Sequence, residues 1–220
     1  MKNIILAISA VGLLSSAQAI VLTSINFTGG STLSQVNNYV NPTAFGTSVG
    51  SIVSDAFQVT GTNVFGTYAD NLADSDYHVI GLTVSGLTGS QTLSLTNITA
   101  DAFGDFPDGD AYAIGAVINS TFTSVNDGLF DEYQIANGGA ANSFDFDIDT
   151  DLSSITGLTN GDTVTIGFFY ESTSATNTSA NPGRLYNLDN IVVNGEIVPE
   201  PSSSALIGLG GLVILSRRRR

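Results

Sequence analysis

Carboxylates are the one kind of chemically versatile side chain that this sequence has in quantity. The chain contains 20 Asp and Glu residues, a single histidine and no cysteine. The lack of cysteine excludes thiolate nucleophiles, disulfides and cysteine-ligated zinc. A single histidine excludes a multi-histidine metal site and leaves little room for a Ser-His-Asp triad.

The first acidic cluster has four carboxylates within ten residues, at Asp101, Asp105, Asp108 and Asp110. Proline and glycine residues among them should bend the chain into a loop. Hard oxygen ligands on a flexible loop suit Ca²⁺, although the spacing does not match an EF-hand. The pattern predicts either a calcium site or a solvated acidic loop.

The second acidic cluster occupies the odd positions from 145 to 151, and Phe144, Phe146 and Ile148 stand between its four aspartates. Alternation at a period of two places the acids on one face of a strand. We expect a half-buried strand with an acidic, solvated face. A bound cation would relieve the repulsion between these carboxylates.

No motif in the chain predicts catalysis. A carboxylate pair at a glycosidase separation would arise by chance among so many acids, and we expect His78 to be an exposed residue at the start of a strand. Tyrosines could form a sugar-binding platform, but the chain has no tryptophan. We therefore expect a protein that is not an enzyme, with a glycan hydrolase as the weaker alternative.

Period-two alternation recurs along the middle of the chain and indicates strands. It is clearest at 77–87 and 163–170, and other candidate strands are 21–28, 51–60, 91–99, 111–118, 143–149 and 185–195. Turns rich in Gly and Asn separate them, and no stretch has a convincing helical period. This pattern predicts an all-β fold, a single β-sandwich of the jelly-roll type.

Two short segments repeat one another. Gly86-Leu87-Thr88 and Gly157-Leu158-Thr159 each lead, six residues after the glycine, into a predicted strand that begins with threonine. Two copies are too few for a repeat protein. We expect two equivalent corners of one sandwich, in which each leucine plugs an end of the core.

The N-terminus has the pattern of a secretory signal peptide at residues 1–19. A lysine is followed by an apolar stretch, and Ala17-Gln18-Ala19 is a small-x-small cleavage site. This predicts a signal helix that is removed after Ala19. The domain that remains would span residues 20–197.

The C-terminus combines three elements in residues 198–220. Pro199-Glu200-Pro201 should end the preceding strand, an apolar run of about 12 residues follows, and the chain closes on four arginines. The apolar run is short of the ~20 residues of a full transmembrane helix. The arginines would stay in the cytoplasm under the positive-inside rule, which places the domain outside.

This tail closely resembles the PEP-CTERM sorting signal of Gram-negative bacteria. The resemblance implies recognition and processing by an exosortase, with a short transmembrane helix that anchors the protein transiently in the inner membrane. Such proteins tend to occur in bacteria that make exopolysaccharide and biofilm. The implied sorting residues are Pro199, Glu200, Pro201, Arg217, Arg218, Arg219 and Arg220. A permanent tail anchor is the alternative, with the same topology.

Residues 184–195 are similar to the last strand of many PEP-CTERM ectodomains and of jelly-roll domains that bind carbohydrate. The second resemblance implies that an acid near this point, here Asp189, helps to hold a structural calcium ion. Binding to nucleic acid or anionic lipid is not expected, because Arg184 is the single base among 19 acids in residues 20–198.

Together these features predict an exported surface or matrix protein with a structural or adhesive role, associated with exopolysaccharide or envelope glycans. The alternative is a lectin-like module that binds carbohydrate with the help of calcium.

Overall fold

The computed structural model describes residues 17–27, 34–35, 38–42, 46–47, 51–53, 56–60, 77–106, 110–124, 126–134, 142–172 and 185–199. Within these residues the chain forms thirteen strands and no helix. The strands are β1 (Gln18–Ile25), β2 (Ser34–Gln35), β3 (Val40–Pro42), β4 (Gly46–Thr47), β5 (Ser51–Val53), β6 (Ala56–Thr60), β7 (His78–Val84), β8 (Thr92–Phe106), β9 (Asp110–Ile118), β10 (Leu129–Gln134), β11 (Asn142–Asp151), β12 (Thr163–Ser172) and β13 (Leu185–Val198). The predicted tail helix and residues 1–16 of the predicted signal segment lie outside the described residues, whereas Gln18 and Ala19 of that segment begin β1.

The described strands form two antiparallel sheets. The first sheet has the order β11-β8-β13-β1-β2, with β6 also paired to β13 and β5 to β6. The second has the order β10-β9-β12-β7-β3, with β4 also paired to β7. Among the longer strands, the orders β1-β13-β8-β11 and β7-β12-β9-β10 are those of a jelly roll.

Both sheets contribute to one hydrophobic core. Ile80 and Leu82 of β7 and Ile98 of β8 belong to the same cluster of buried side chains, although β7 and β8 lie in different sheets. Along β7 the residues alternate between buried and half-buried positions, as the period-two pattern predicts. The two apolar faces therefore pack against one another, in agreement with the predicted sandwich.

The predicted acidic loop at 101–110 is wrong for most of its length. Strand β8 continues to Phe106, and β9 begins at Asp110. The reason is that β8 has a partner on each side here, since Asp101 pairs with Asp147 of β11 and with Asp189 of β13. Two ladders of backbone hydrogen bonds outweigh the local turn preference of a few residues. Strand β10 was not predicted either.

The two predicted corners are equivalent in the structure. Gly86 and Gly157 have φ angles of 68° and 72°, a left-handed conformation that glycine adopts without steric cost. Leu87 and Leu158 follow them and are buried in the shared core. The prediction that each leucine closes an end of the core is confirmed.

The same pair of hydrogen bonds stabilises both corners: a threonine donates its N–H and its hydroxyl to a side-chain oxygen three residues later. At the first, the backbone N–H and the hydroxyl of Thr88 donate to Gln91 Oε1 over 2.9 and 3.0 Å. At the second, the same two groups of Thr159 donate to Asp162 Oδ2 over 2.7 and 2.9 Å. Hydrogen bonds from the Thr159 N–H, the Asn119 amide and the Thr159 hydroxyl lower the pKa of Asp162, so the acceptor at this corner stays ionised.

The corners are also bonded to each other. Leu93 and Leu158 exchange two backbone hydrogen bonds of 2.9 Å. The Asn160 amide accepts from Leu87 N–H over 3.0 Å and donates to Leu87 C=O over 2.8 Å. Asn160 thus replaces the strand partner that Leu87 would otherwise need, because buried backbone groups must be paired.

The Asn160 bridge should be a measurable part of the stability of the domain. Asn160→Ala removes two hydrogen bonds, so we expect a loss of about 1–3 kcal/mol in the free energy of unfolding. Urea unfolding measures it as a lower midpoint at unchanged slope. Asn126→Ala, at an exposed turn, is the matched control and should cost less than about 0.5 kcal/mol. Equal midpoints for the two variants would contradict this role.

Candidate functional site: the acidic face and the sorting motif

The outer side of the first sheet carries a cluster of acids, which we call the acidic face. Its members lie on β11, β8 and β13. On β11, Ile148 and Thr150 are buried while the aspartates on either side of them are exposed, so the predicted alternation is confirmed from 147 to 151. The described acids of this face are Asp101, Asp147, Asp149, Asp151, Asp189 and Glu196.

Three of these acids form one row across adjacent strands. Asp101 is the register partner of Asp147 on one side and of Asp189 on the other. Residues directly opposite in a sheet share a face, and like charges there are destabilising. A row of this kind therefore needs a group that compensates the carboxylates.

Asn190 supplies part of that compensation. Its side-chain amide donates to Asp101 Oδ2 over 2.6 Å, and its backbone N–H donates to Asp189 Oδ1 over 2.8 Å. Asn190 has a φ of 49°, and the β13–β8 register shifts between Asp189 and Val192. The resulting bulge places one asparagine where it serves two acids.

A second relay of hydrogen bonds crosses the same three strands. The Asn194 amide donates to Asn97 Oδ1 over 3.0 Å, and the Asn97 amide donates to Asp149 Oδ1 over 2.7 Å. Sequence reasoning did not select these asparagines, although the alternation of Asn194 with buried Val193 could have placed it on the outer face. The face is therefore an ordered network of amides and carboxylates.

The acid at the end of β11 is held in its charged form. Asp151 accepts a hydrogen bond of 2.8 Å from Ser153 N–H. Hydrogen bonds from the Ser153 hydroxyl and N–H lower the pKa of Asp151. This carboxylate keeps its negative charge to lower pH than a free aspartate would.

The predicted calcium ligands are only partly described. The side chains of Asp101 and Asp189 lie in register on one face, whereas Asp105 and Asp110 are described by their backbone alone, and Asp108 lies outside the described residues. Among the side chains that the structure describes, no three His, Cys, Asp or Glu residues are grouped so that they could hold a metal ion. The calcium site stays a prediction.

His78 differs from its prediction. It does begin β7, but its side chain is 0% exposed and shares the inner face with Ile80. Burial lowers the pKa of His78 from 6.5 to about 3, because the charged imidazolium is poorly solvated in the core. Sequence reasoning placed it outside because histidine is polar, whereas the alternation along β7 places it inside.

The two ends of the described chain run side by side. In the antiparallel pair of β1 and β13, Gln18 is the register partner of Ile197 and Ala19 of Glu196. Ala17 and Ala19, the predicted cleavage residues, are exposed, and Pro199 follows the last residue of β13 directly. Glu200, Pro201 and the four terminal arginines lie outside the described residues.

Comparison with protein families decides the nature of the residues that follow β13. The family model of the PEP-CTERM protein-sorting motif matches residues 198–220. The chain carries a PEP-CTERM sorting motif. No curated protein matches the chain.

The PEP-CTERM motif marks the chain as an exported, envelope-targeted protein that an exosortase sorts. The motif begins at Val198, which is also the last residue of β13, so the sorting motif and the all-β domain share a residue. The described part of the chain contains no helix with the length and apolar character needed to cross a membrane.

The buried His78 should make the domain less stable in mild acid. Below pH 6.5 the unfolded chain binds a proton at this histidine, while the folded chain does not until the pH nears 3. The free energy of unfolding is therefore at its full value above pH 6.5 and falls as the pH drops from 6.5 toward 3. Between pH 7 and pH 5 the loss should be about 2 kcal/mol in the free energy of unfolding.

Denaturant unfolding of the wild-type chain and of His78→Gln at both pH values tests this. Glutamine is polar but does not titrate, and the effects of the carboxylates are common to both chains and cancel in the difference. The wild-type chain should lose about 2 kcal/mol more than the variant on acidification. Parallel pH profiles would show that His78 titrates normally in the folded state.

Proposed function

We propose that this protein is a non-enzymatic structural or adhesive component of the cell surface or exopolysaccharide matrix of a Gram-negative bacterium. It is exported with a signal peptide that is cut after Ala19. A short C-terminal helix then holds it in the inner membrane until an exosortase processes the tail. The observation that carries the proposal is the sorting motif, which begins where β13 ends.

The hydrogen bonds that hold the side chains of the acidic face in fixed positions support an adhesive role. Sugar hydroxyls both donate and accept hydrogen bonds, and the face offers amides and carboxylates for both. Bonds such as those from Asn190 to Asp101 and from Asn97 to Asp149 hold these groups in place before a ligand arrives. Groups that are ordered in advance bind at a lower entropic cost.

The single histidine supports a role other than catalysis. A general base works best with a pKa near the operating pH, whereas burial keeps His78 neutral and away from solvent. A glycan hydrolase would have to use two carboxylates alone. It would release reducing ends from a polysaccharide, and it would lose that activity when one acid is changed to its amide.

Calcium-assisted carbohydrate binding is the second candidate. Its ligands would be those predicted from the sequence, namely Asp101, Asp105, Asp108, Asp110 and Asp189. Asp101 and Asp189 are register partners, and a divalent cation would relieve the repulsion between these two carboxylates. In this case the cation would strengthen both the domain and its hold on a glycan. EDTA would then lower the melting temperature and the retention on polysaccharide together.

Deletion of the exosortase in the host tests the sorting half of the proposal. The intact mass of the protein from the wild-type host should show a C-terminus that is cut near Pro199–Pro201. In the deletion host the mass should include the tail through Arg220, and the protein should fractionate with the inner membrane. An unchanged C-terminal mass would contradict exosortase processing and favour a permanent anchor.

Retention of the processed protein on the host exopolysaccharide tests the adhesive half. We expect Asp101→Asn to weaken retention about tenfold, equivalent to about 1.4 kcal/mol, because it disturbs the centre of the acidic face. Glu132→Gln removes the same charge from β10 in the second sheet and is the matched control. Equal retention of both variants would exclude the acidic face as the binding surface, and a loss caused by EDTA alone would favour the calcium-assisted candidate.

A further inference from the structure

The last residues of β13 lie between β8 and the first residues of β1. On one side, Glu196 and Ile197 pair with Ser94 and Leu93 of β8. On the other side, the same two residues pair with Ala19 and Gln18 of β1. If the signal peptide is cut after Ala19, the β8 partners stay with the domain and the β1 partners leave it.

Signal cleavage would therefore change the edge of the sheet next to the sorting motif. The first residue of the mature chain is then Ile20, whose register partner is Gly195. Leu93 directs its N–H and C=O to Leu158, so its register partner Ile197 directs its own toward Gln18, and those of Glu196 face β8. After the cut, the N–H and C=O of Ile197 become a short free edge. A free edge of this kind is a template on which another chain can add a strand.

The new edge should keep its shape after the cut. Ile197 is 5% exposed and belongs to the shared core, and the pairing of this segment with β8 continues to Val198. The strand is held by its buried side chain and by its remaining partner. A partner would therefore meet an ordered strand end, and not a frayed one.

We propose that removal of the signal peptide opens this edge for the enzyme that processes the tail. The enzyme docks at Ile197 by strand addition, a mode in which backbone hydrogen bonds supply affinity. Its active site then meets the motif that begins at Val198. Tail processing therefore follows signal cleavage, because residues 18 and 19 block the docking edge until they leave. The inference rests on the proposed function.

The test uses the full chain in the exosortase-positive host. Ala17→Phe places a bulky residue at the cleavage site, so the signal should be retained, and it leaves Gln18 and Ala19 paired because Ala17 precedes β1. Ala17→Ser keeps a small residue and is the matched control. Intact mass at both termini measures the two cuts separately.

A second variant separates the blocked edge from the retained signal. It combines Ala17→Phe with Gln18→Pro and Ala19→Pro. Successive residues of a strand point their N–H groups to opposite sides, so one of the two prolines removes a donor from the β13 side. Gln18→Gly and Ala19→Gly in place of the prolines give a milder version. Resistance to proteinase K checks that each variant folds.

We expect Ala17→Phe to reduce the tail-processed fraction at least tenfold, and the proline variant to restore it to within about twofold of wild type although its signal is retained. Normal tail processing in Ala17→Phe would overturn the proposal. Loss of processing in both variants would overturn it as well, since the retained signal alone would then be the cause. An unprocessed wild-type tail would instead overturn the proposed function and is distinguished by appearing without any substitution.

Discussion

The mutual bonding of two corners is the constraint on which the arrangement of the sheets depends. The corner between β7 and β8 and the corner between β11 and β12 both cross from one sheet to the other. The paired backbone groups of Leu93 and Leu158, with the Asn160 bridge to Leu87, fasten these crossings together. Because each corner also buries a leucine, the crossing is fixed by the core and by hydrogen bonds at once.

That arrangement gives the acidic face its rigidity. Strand β8 lies between β11 and β13, so the carboxylates on all three strands are held at the spacing of the sheet. Charges held this way cannot move apart, and the amides of Asn190, Asn97 and Asn194 lie among them instead. The network thus follows from the need to stabilise like charges that the core alignment brings into register.

Most of the fold could be predicted from the sequence, and the exceptions have physical causes. Two local patterns could be recognised from the sequence, because each depends on neighbouring residues only. They are the alternation along β7 and β12 and the repeated Gly-Leu-Thr corners. The continuation of β8 through Asp101 to Phe106 depends on partners that lie 36 or more residues away in the chain, as Asn142 does from Phe106. His78 was misplaced because its residue type was weighed above its position in the alternation. For the candidate site, the sequence predicted the sorting motif and the acidic side of β11. It could not predict the strand register that aligns Asp147, Asp101 and Asp189.

Strand β13 connects the core, the acidic face and the sorting motif. It pairs with β8 and with β1, and the second of these partners lies at the opposite end of the chain. Non-local pairing of this kind forms late, since the loop entropy must be overcome before the contacts form. The pairing of β1 with the nearby β2 is local by comparison, whereas its longer ladder with β13 needs residues 185–198. Gln18 and Ala19 therefore gain their strand partners only when Ile197 and Glu196, the residues directly before the sorting motif and its first residue Val198, are in place.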